Sequence, residues 1–384
     1  MFLKKYLILL VLSLLISSND SFAQINFGAF ELDAVYKGDF AYNFNGGNKQ
    51  GFAYLGNIDL IVDYDTEKGG LWKGGVLHSY FLNNHGSSIS SIVGDVQGVD
   101  NIEAPSATKV YELWYSQQIG NFNFLFGQHD LNSVFSVTEN AGGFMNSSFG
   151  MQPDISANAP VSIFPNASIG FVIKWDISDN LTLLSAGYSC INPSDNSDFI
   201  HWKVNSSDGL FGIFEMQYRF MQNNNTKAEL KVGFWNHKLG EDDIKNDYKY
   251  NQGYYLSLDY SIFRENSSTS QGLNSFIQLG YAPKEENMLT LYASLGVVYE
   301  GLFVGRDEDV LGLAVAMPYF SDTFRAYPEH KYLKNERTVE VFYKAKFGNH
   351  ITVQPDLQYV INPAGIDVNF EDAFVGFVRV TVNL

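Results

Sequence analysis

Long stretches of this chain alternate apolar and polar residues with a period of two. From Val110 to Ile119, Tyr111, Leu113 and Tyr115 fall on one side, and Glu112, Trp114, Ser116 and Gln118 on the other. From Gly212 to Phe220, Phe214, Met216, Tyr218 and Phe220 oppose Glu215, Gln217 and Arg219. Leu230, Val232 and Phe234 oppose Glu229, Lys231 and Trp235. Val339, Val341 and Tyr343 oppose Glu340, Phe342, Lys344 and Lys346. Successive Cβ atoms of a strand point to opposite faces, so alternation sustained over roughly 8–10 residues predicts strands with one apolar and one polar face. No helical stripe competes with it beyond the N-terminus.

The stretches between these strands are rich in turn residues. Short ones are expected at Asp63–Gly70, Asp176–Asn180 and Gly348–His350. Long polar ones are expected at Asn83–Ser106, Glu139–Asn166, Asn192–Asn205, Glu241–Asn251, Arg264–Asn274 and Pro318–Arg337. Short turns mixed with long loops suit a transmembrane antiparallel β-barrel. A soluble sandwich would bury its apolar faces between two sheets instead. The barrel is favoured by strand length, since about 9–11 tilted residues cross a membrane. It is also favoured by aromatic residues near strand ends, such as Tyr111, Tyr115, Phe126, Tyr254, Tyr260 and Tyr281. The last strand, Phe374 to Leu384, alternates to the terminal residue, with Phe377, Arg379, Thr381 and Asn383 on its polar side. It predicts closure against a first strand near Phe27–Tyr36. An open edge in lipid would leave backbone groups unsatisfied.

Composition narrows the classes. Of 384 residues only 17% are charged, while 23 are Tyr and 31 Phe. The net charge of -17 makes a nucleic-acid partner unfavourable. One Cys excludes an internal disulfide and any Cys-based metal cluster. No His spacing suits zinc, and no nucleophile elbow or phosphate loop occurs, so no catalyst or cofactor is expected. The N-terminus predicts an export signal over residues 1–23. Lys4 and Lys5 precede an apolar run from Leu7 to Ile16, and Ser21-Phe22-Ala23 makes a small-x-small cleavage pattern before Gln24. Residues 24–384 are then one barrel domain.

Four blocks carry a family resemblance. The first is Glu112-Leu113-Trp114-Tyr115 followed by Phe126-Gly127-Gln128-His129-Asp130-Leu131-Asn132. The second is Phe144-Met145-Asn146-Ser147-Ser148-Phe149-Gly150. The third runs from Gly301 to Gly312 through Arg306-Asp307-Glu308-Asp309, and the fourth from Ile351 to Pro363. In this order they resemble the OprB family of carbohydrate-selective outer-membrane porins. Val304 stands where the family pattern would place Pro. The resemblance implies a barrel of about 16 strands around a polar lumen. It also implies passive diffusion of small sugars across the outer membrane of a Gram-negative-type bacterium.

A porin selects by the size, charge and hydrogen bonding of its lumen. The polar faces supply the candidate lining: Glu112, Trp114, Glu215, Arg219, Glu229, Lys231, Trp235, Glu340 and Arg379, with Arg306, Asp307 and Asp309 at a pore mouth or clamping a turn. Sugar hydroxyls both donate and accept, so walls of mixed sign suit them. Facing pairs that only neutralise each other are the plainer reading of any single charge. Trp114, Trp235, Tyr255, Tyr292 and Phe342 fall on polar faces; they stack on sugar rings or fill space beneath a loop folded into the lumen. Glu139–Asn166 is the candidate for that loop. A mono- or disaccharide is the expected solute and outer-membrane lipid the surround. No trimer interface is legible, so a homo-oligomer stays open. The rival reading is a general diffusion porin with mild cation preference, suggested by the net charge.

Overall fold

A computed structural model gives the fold and describes residues 25–191, 199–202, 204, 209–222, 226–239, 250–265, 270–283, 287–326, 332–365 and 371–383. The expected export signal, the stretch 241–249 and the terminal Leu384 lie outside the described residues. The architecture is a closed antiparallel barrel of sixteen strands among the described residues. A short β1 (Ile25–Phe27) folds back on β2 (Phe30–Asn45). There follow β3 (Gly51–Asp65), β4 (Gly75–Gly86), β5 (Ala107–Ile119), β6 (Phe122–His129), β7 (Ser168–Ser178) and β8 (Leu181–Ser189). β9 (Leu210–Gln222), β10 (Thr226–Lys238), β11 (Tyr250–Arg264), β12 (Gly272–Tyr281) and β13 (Leu289–Glu300) continue the wall. β14 (Val310–Phe320), β15 (Arg337–Phe347), β16 (Ile351–Ile361) and β17 (Ala373–Asn383) complete it. Each of β2–β17 pairs with its neighbours in sequence, and β17 closes on β2 through pairs such as Val378↔Phe40 and Arg379↔Asp39. The expected closure of last strand on first therefore holds. No helix among the described residues is long and apolar enough to cross a membrane.

Parity divides the side chains as the alternation requires. Phe126, Phe214, Tyr218, Tyr254, Leu279, Leu313, Leu357 and Val378 point outward and are exposed. Trp235, Tyr255, Tyr292 and Phe342 point inward and are buried. Tyr111, read from the sequence as an outward residue, departs from this scheme. It is the extra residue of a bulge in β5, opposite Tyr80 and Phe81, and is buried. A bulge adds one residue and flips the parity that follows it, so simple counting fails there.

The connections sort by end. At the end holding both described termini lie 66–74, 120–121, 179–180, 265–271, 301–309 and 348–350. At the other end lie 46–50, 87–106, 130–167 and 321–336, among others. The expected long loop Arg264–Asn274 is shorter than read, because Arg264 ends β11 and Asn274 lies inside β12. The expected loop from Glu139 begins earlier, at Asp130, where β6 ends.

The core lies inside the barrel. Leu131, Phe135, Met151 and Ile155 of the 130–167 loop pack on Tyr188, Phe211, Trp235 and Tyr255 of the wall. Phe144 and Phe149 of the same loop pack on Phe276, Tyr292 and Phe342. The 87–106 loop adds Ile89, Ile92, Val93 and Val99 against Leu55, Val360, Val375 and Phe377. Burying each such side chain contributes about 1.5–3 kcal/mol. Two wall glycines make room for the inward rings. A Cβ at Gly233 would meet the Tyr255 ring at 2.0 Å, and one at Gly253 the Trp235 indole at 2.5 Å.

Candidate functional site

The loop 130–167 leaves the wall at the end of β6 and crosses the lumen toward the opposite strands. Short 3-10 turns at Leu131–Ser133, Glu139–Ala141 and Ser147–Phe149 and a one-turn helix, α2 (Pro153–Ser156), shape it; α1 (Ser90–Val93) does the same in the 87–106 loop. Their exposed backbone N–H groups are met by carboxylates of the wall. Asp259 accepts from Glu139 N at 3.0 Å and Asn140 N at 2.9 Å. Glu340 accepts from Met145 N at 2.5 Å and Asn146 N at 3.0 Å. Glu215 accepts from Ser136 N at 2.8 Å and from the Tyr255 hydroxyl at 2.7 Å. Lys231 Nζ donates to the Val137 carbonyl at 2.6 Å. Each of these carboxyl groups meets backbone N–H groups that would otherwise lie buried without a partner. They fix the loop across the bore.

This placement changes the reading of several expected lining residues. Glu215, Glu340 and Trp235 are completely buried and Lys231 nearly so. They face inward as expected but lie beneath the loop, which takes the surface a solute would touch. Tyr255, Tyr292 and Phe342 are covered in the same way, filling space rather than facing the bore. Arg306, Asp307 and Asp309 sit in the 301–309 turn, at the end away from the long loops. There Arg306 Nε donates to Asp309 Oδ2 at 2.6 Å and its Nη2 to the Lys346 carbonyl at 3.0 Å. Lys346 N donates to Asp309 at 3.0 Å, and Tyr343 adds a further bond to the same carboxylate. Asp307 stays exposed. The cluster clamps a turn and does not line a mouth beside the loops.

The remaining bore has walls of two kinds. On β2, β15 and β17 it carries Lys and Arg side chains, most of them ion-paired. The register aligns Lys346, Thr352, Thr381 and Lys37 in one row across β15, β16, β17 and β2. Lys37 is one-third exposed and ion-paired to Asp59 at 3.2 Å. Lys344 is exposed on the same inner face of β15. Arg379 is held more tightly, by Asp39 at 2.6 Å and Asp100 at 3.2 Å, and it also donates to Asn101 at 2.8 Å. It thereby ties the 87–106 loop to the seam where the barrel closes.

On β3–β5 the wall is acidic and aromatic. His78 Nδ1 lies 2.7 Å from Asp63 and its Nε2 3.8 Å from Glu112. The His78 ring stacks on Trp114 at 4.4 Å and 9°. Trp114 Nε1 donates to Glu112 at 2.6 Å. The Tyr111 hydroxyl donates to Asp130 at 2.6 Å, and burial pushes the Asp130 carboxyl up to about 6. Further round, Arg219 is about half exposed and bonds Glu229 at 2.7 Å, with Lys231 on the other oxygen at 3.2 Å. Of the expected lining, the structure thus brings together Glu112 with Trp114 and Arg219 with Glu229 and Lys231. Lys37, Asp39, Asp59, Asp63, His78, Asp100 and Asp130 join them although the sequence reading did not select them. The signal was available in β2, where Asp33, Val35, Lys37 and Asp39 alternate with Tyr36, Phe40 and Tyr42. Among the described residues no group of three His, Cys, Asp or Glu side chains is arranged to hold a metal ion.

The chain has recognisable relatives. The family profile described as carbohydrate-selective porin, OprB family, matches residues 49–384. Porin B of Pseudomonas aeruginosa is 23% identical over 91% of this chain and 87% of its own length. A putative porin, QuiX, of Acinetobacter baylyi is 20% identical over 94% of this chain and 90% of its own. The high-pH structure of Pseudomonas putida OprB superposes with a TM-score of 0.82 at 18% identity, covering 92% of this chain and 94% of that one.

Proposed function

The chain belongs to the OprB family of carbohydrate-selective porins, and on that premise we propose that mono- and disaccharides diffuse passively through the bore between the inserted loop and the walls of β2–β5, β9–β10 and β15–β17. The family and the fold point to a channel rather than an enzyme, and they imply an outer-membrane protein. We assign it to the outer membrane of a Gram-negative-type bacterium, with residues 1–23 as the export signal and the outward apolar face in lipid.

The observation that carries the reading is the loop 130–167, held across the lumen by wall carboxylates. It narrows a wide barrel to a bore whose surface carries donors (Lys37, Lys344, Arg219) and acceptors (Asp63, Glu229) together. A sugar hydroxyl can use both at once, which an ion or an apolar solute cannot. Liposomes containing the purified protein should swell faster in mono- and disaccharides than in non-sugar solutes of similar size. Equal rates for the two sets would remove sugar selectivity while leaving a pore.

A further inference from the structure

The inward turn of the 130–167 loop leaves a gap in the wall. β5 starts at Ala107, but β6 pairs with it only from Ile119↔Phe122 to Leu113↔Gln128. Beyond that point β6 has left for the lumen, and the upper part of β5 has no β6 neighbour. An uncovered strand edge facing hydrocarbon would strand its backbone N–H and C=O groups.

A segment of the β8–β9 connection lies in this gap. Val110 N donates to the Phe199 carbonyl at 2.7 Å. His201 N donates to Gln128 Oε1 at 3.0 Å, and Gln128 Nε2 donates to the carbonyls of Val110 and Tyr111 at 2.9 and 2.8 Å. The Trp202 ring meets Phe126 edge-on at 6.5 Å. Phe126 and Gln128 pair with Tyr115 and Leu113, so both point outward. The segment therefore lies on the outside of the barrel, unlike the two loops that fill the lumen. It is why Gln128, outward in parity, is only 2% exposed.

With Phe199 and His201 engaged through their backbone, apolar side chains of the segment remain exposed. Phe199 is 58% exposed, Ile200 38%, Trp202 47% and Val204 61%. Trp202 joins the outward apolar surface at Phe126, which pairs with Phe171 across β6 and β7. We propose that Phe199, Ile200, Trp202 and Val204 insert among the acyl chains of the outer leaflet, so that this segment seals the gap left by β6 and anchors the loop-bearing rim in lipid. Continuity with the apolar wall selects lipid as the occupant. Four side chains on one short segment are also too few for a stable protein interface, which buries about 800 Å² per partner.

Spin labelling tests this. Val204→Cys in a Cys190→Ala background would carry a nitroxide, with the barrel reconstituted in liposomes and its folding checked by heat-modifiable gel mobility. Leu295→Cys, at an outward strand position 61% exposed, serves as the lipid reference. Asp322→Cys, in the 321–336 loop, serves as the aqueous one. The ratio of oxygen to nickel-chelate collision at position 204 should be several-fold above that at 322 and close to that at 295. A ratio equal to the aqueous reference overturns the proposal. So does dipolar broadening between labels, which would place a second copy of the chain on the segment. Ile200→Cys gives an independent reading if the first variant does not fold.

Discussion

Arg379 shows how one side chain can serve both wall and loop. Its guanidinium bridges Asp39 on β2 and Asp100 in the 87–106 loop, and both carboxylates are buried. Breaking a buried ion pair by deleting one partner costs about 3–5 kcal/mol, because the other charge is left without compensation. Arg379→Met should therefore lower the temperature at which the folded barrel converts to the unfolded form on gels. It should do so more than Arg219→Met, whose guanidinium is half exposed and whose pair is worth about 0–1 kcal/mol. Equal shifts would count against the seam role. The inward face of Arg379 was legible from the alternation of the last strand. Its partners were not: Asp100 is 279 residues away in a loop, and no local pattern places a loop residue against a wall. Trp235 has the same history. Its face follows from Val232 and Phe234 on the opposite side, but its burial depends on a loop that begins at Asp130.

The elements divide into a regular wall and irregular contents. Strands follow from alternation, so β9, β10 and β15–β17 were legible almost residue by residue. β5 was legible up to its bulge, where Tyr111 breaks the count. The loops were legible only as polar stretches, because their conformation is set by carboxylates on distant strands. One junction between loops should respond to pH. Glu336 accepts from Val96 N at 3.0 Å, Gln97 N at 3.2 Å and Ala364 N at 2.5 Å, joining three loops. Burial and then the neighbouring Asp95 push Glu336 up to about 8. Asp95, whose carboxylate oxygens are buried, is itself raised by burial. Raised carboxyl pKa values mean the docked loops bind protons more tightly than the undocked ones. Their stabilisation is complete below the ordinary carboxylate range and is lost as pH rises through about 8. Protease cleavage within 87–106 should therefore increase over that window in intact barrels. Glu336→Gln should flatten the dependence; an unchanged pH profile would exclude the junction.

For the whole molecule, the acidic balance has a structural place. The net charge of -17 suggested a cation-preferring pore. Yet Glu215, Glu336 and Glu340 are wholly buried as acceptors of loop N–H groups, while Lys344 faces the bore beside Lys37 and Lys346, which are balanced by Asp59 and Glu308. Field in a channel depends on charges that face it, not on the sum over the chain. Reversal potentials in a salt gradient should thus give a permeability ratio near unity, and Lys37→Glu should shift it toward cations. Strong cation selectivity in the unaltered protein would contradict this assignment and favour a general diffusion pore.

The tether between Asn146 and Glu340 spans 194 residues of chain, and that between Asn140 and Asp259 spans 119. Contacts of such separation form late, because the entropy of closing so long a segment must be met first. The filter of this channel is therefore a product of maturation. The loop is made before the strands that carry these tethers, and the closing seam spans still more chain, 340 residues from Asp39 to Arg379, so the constriction can form no earlier than β15 and need not wait for the seam.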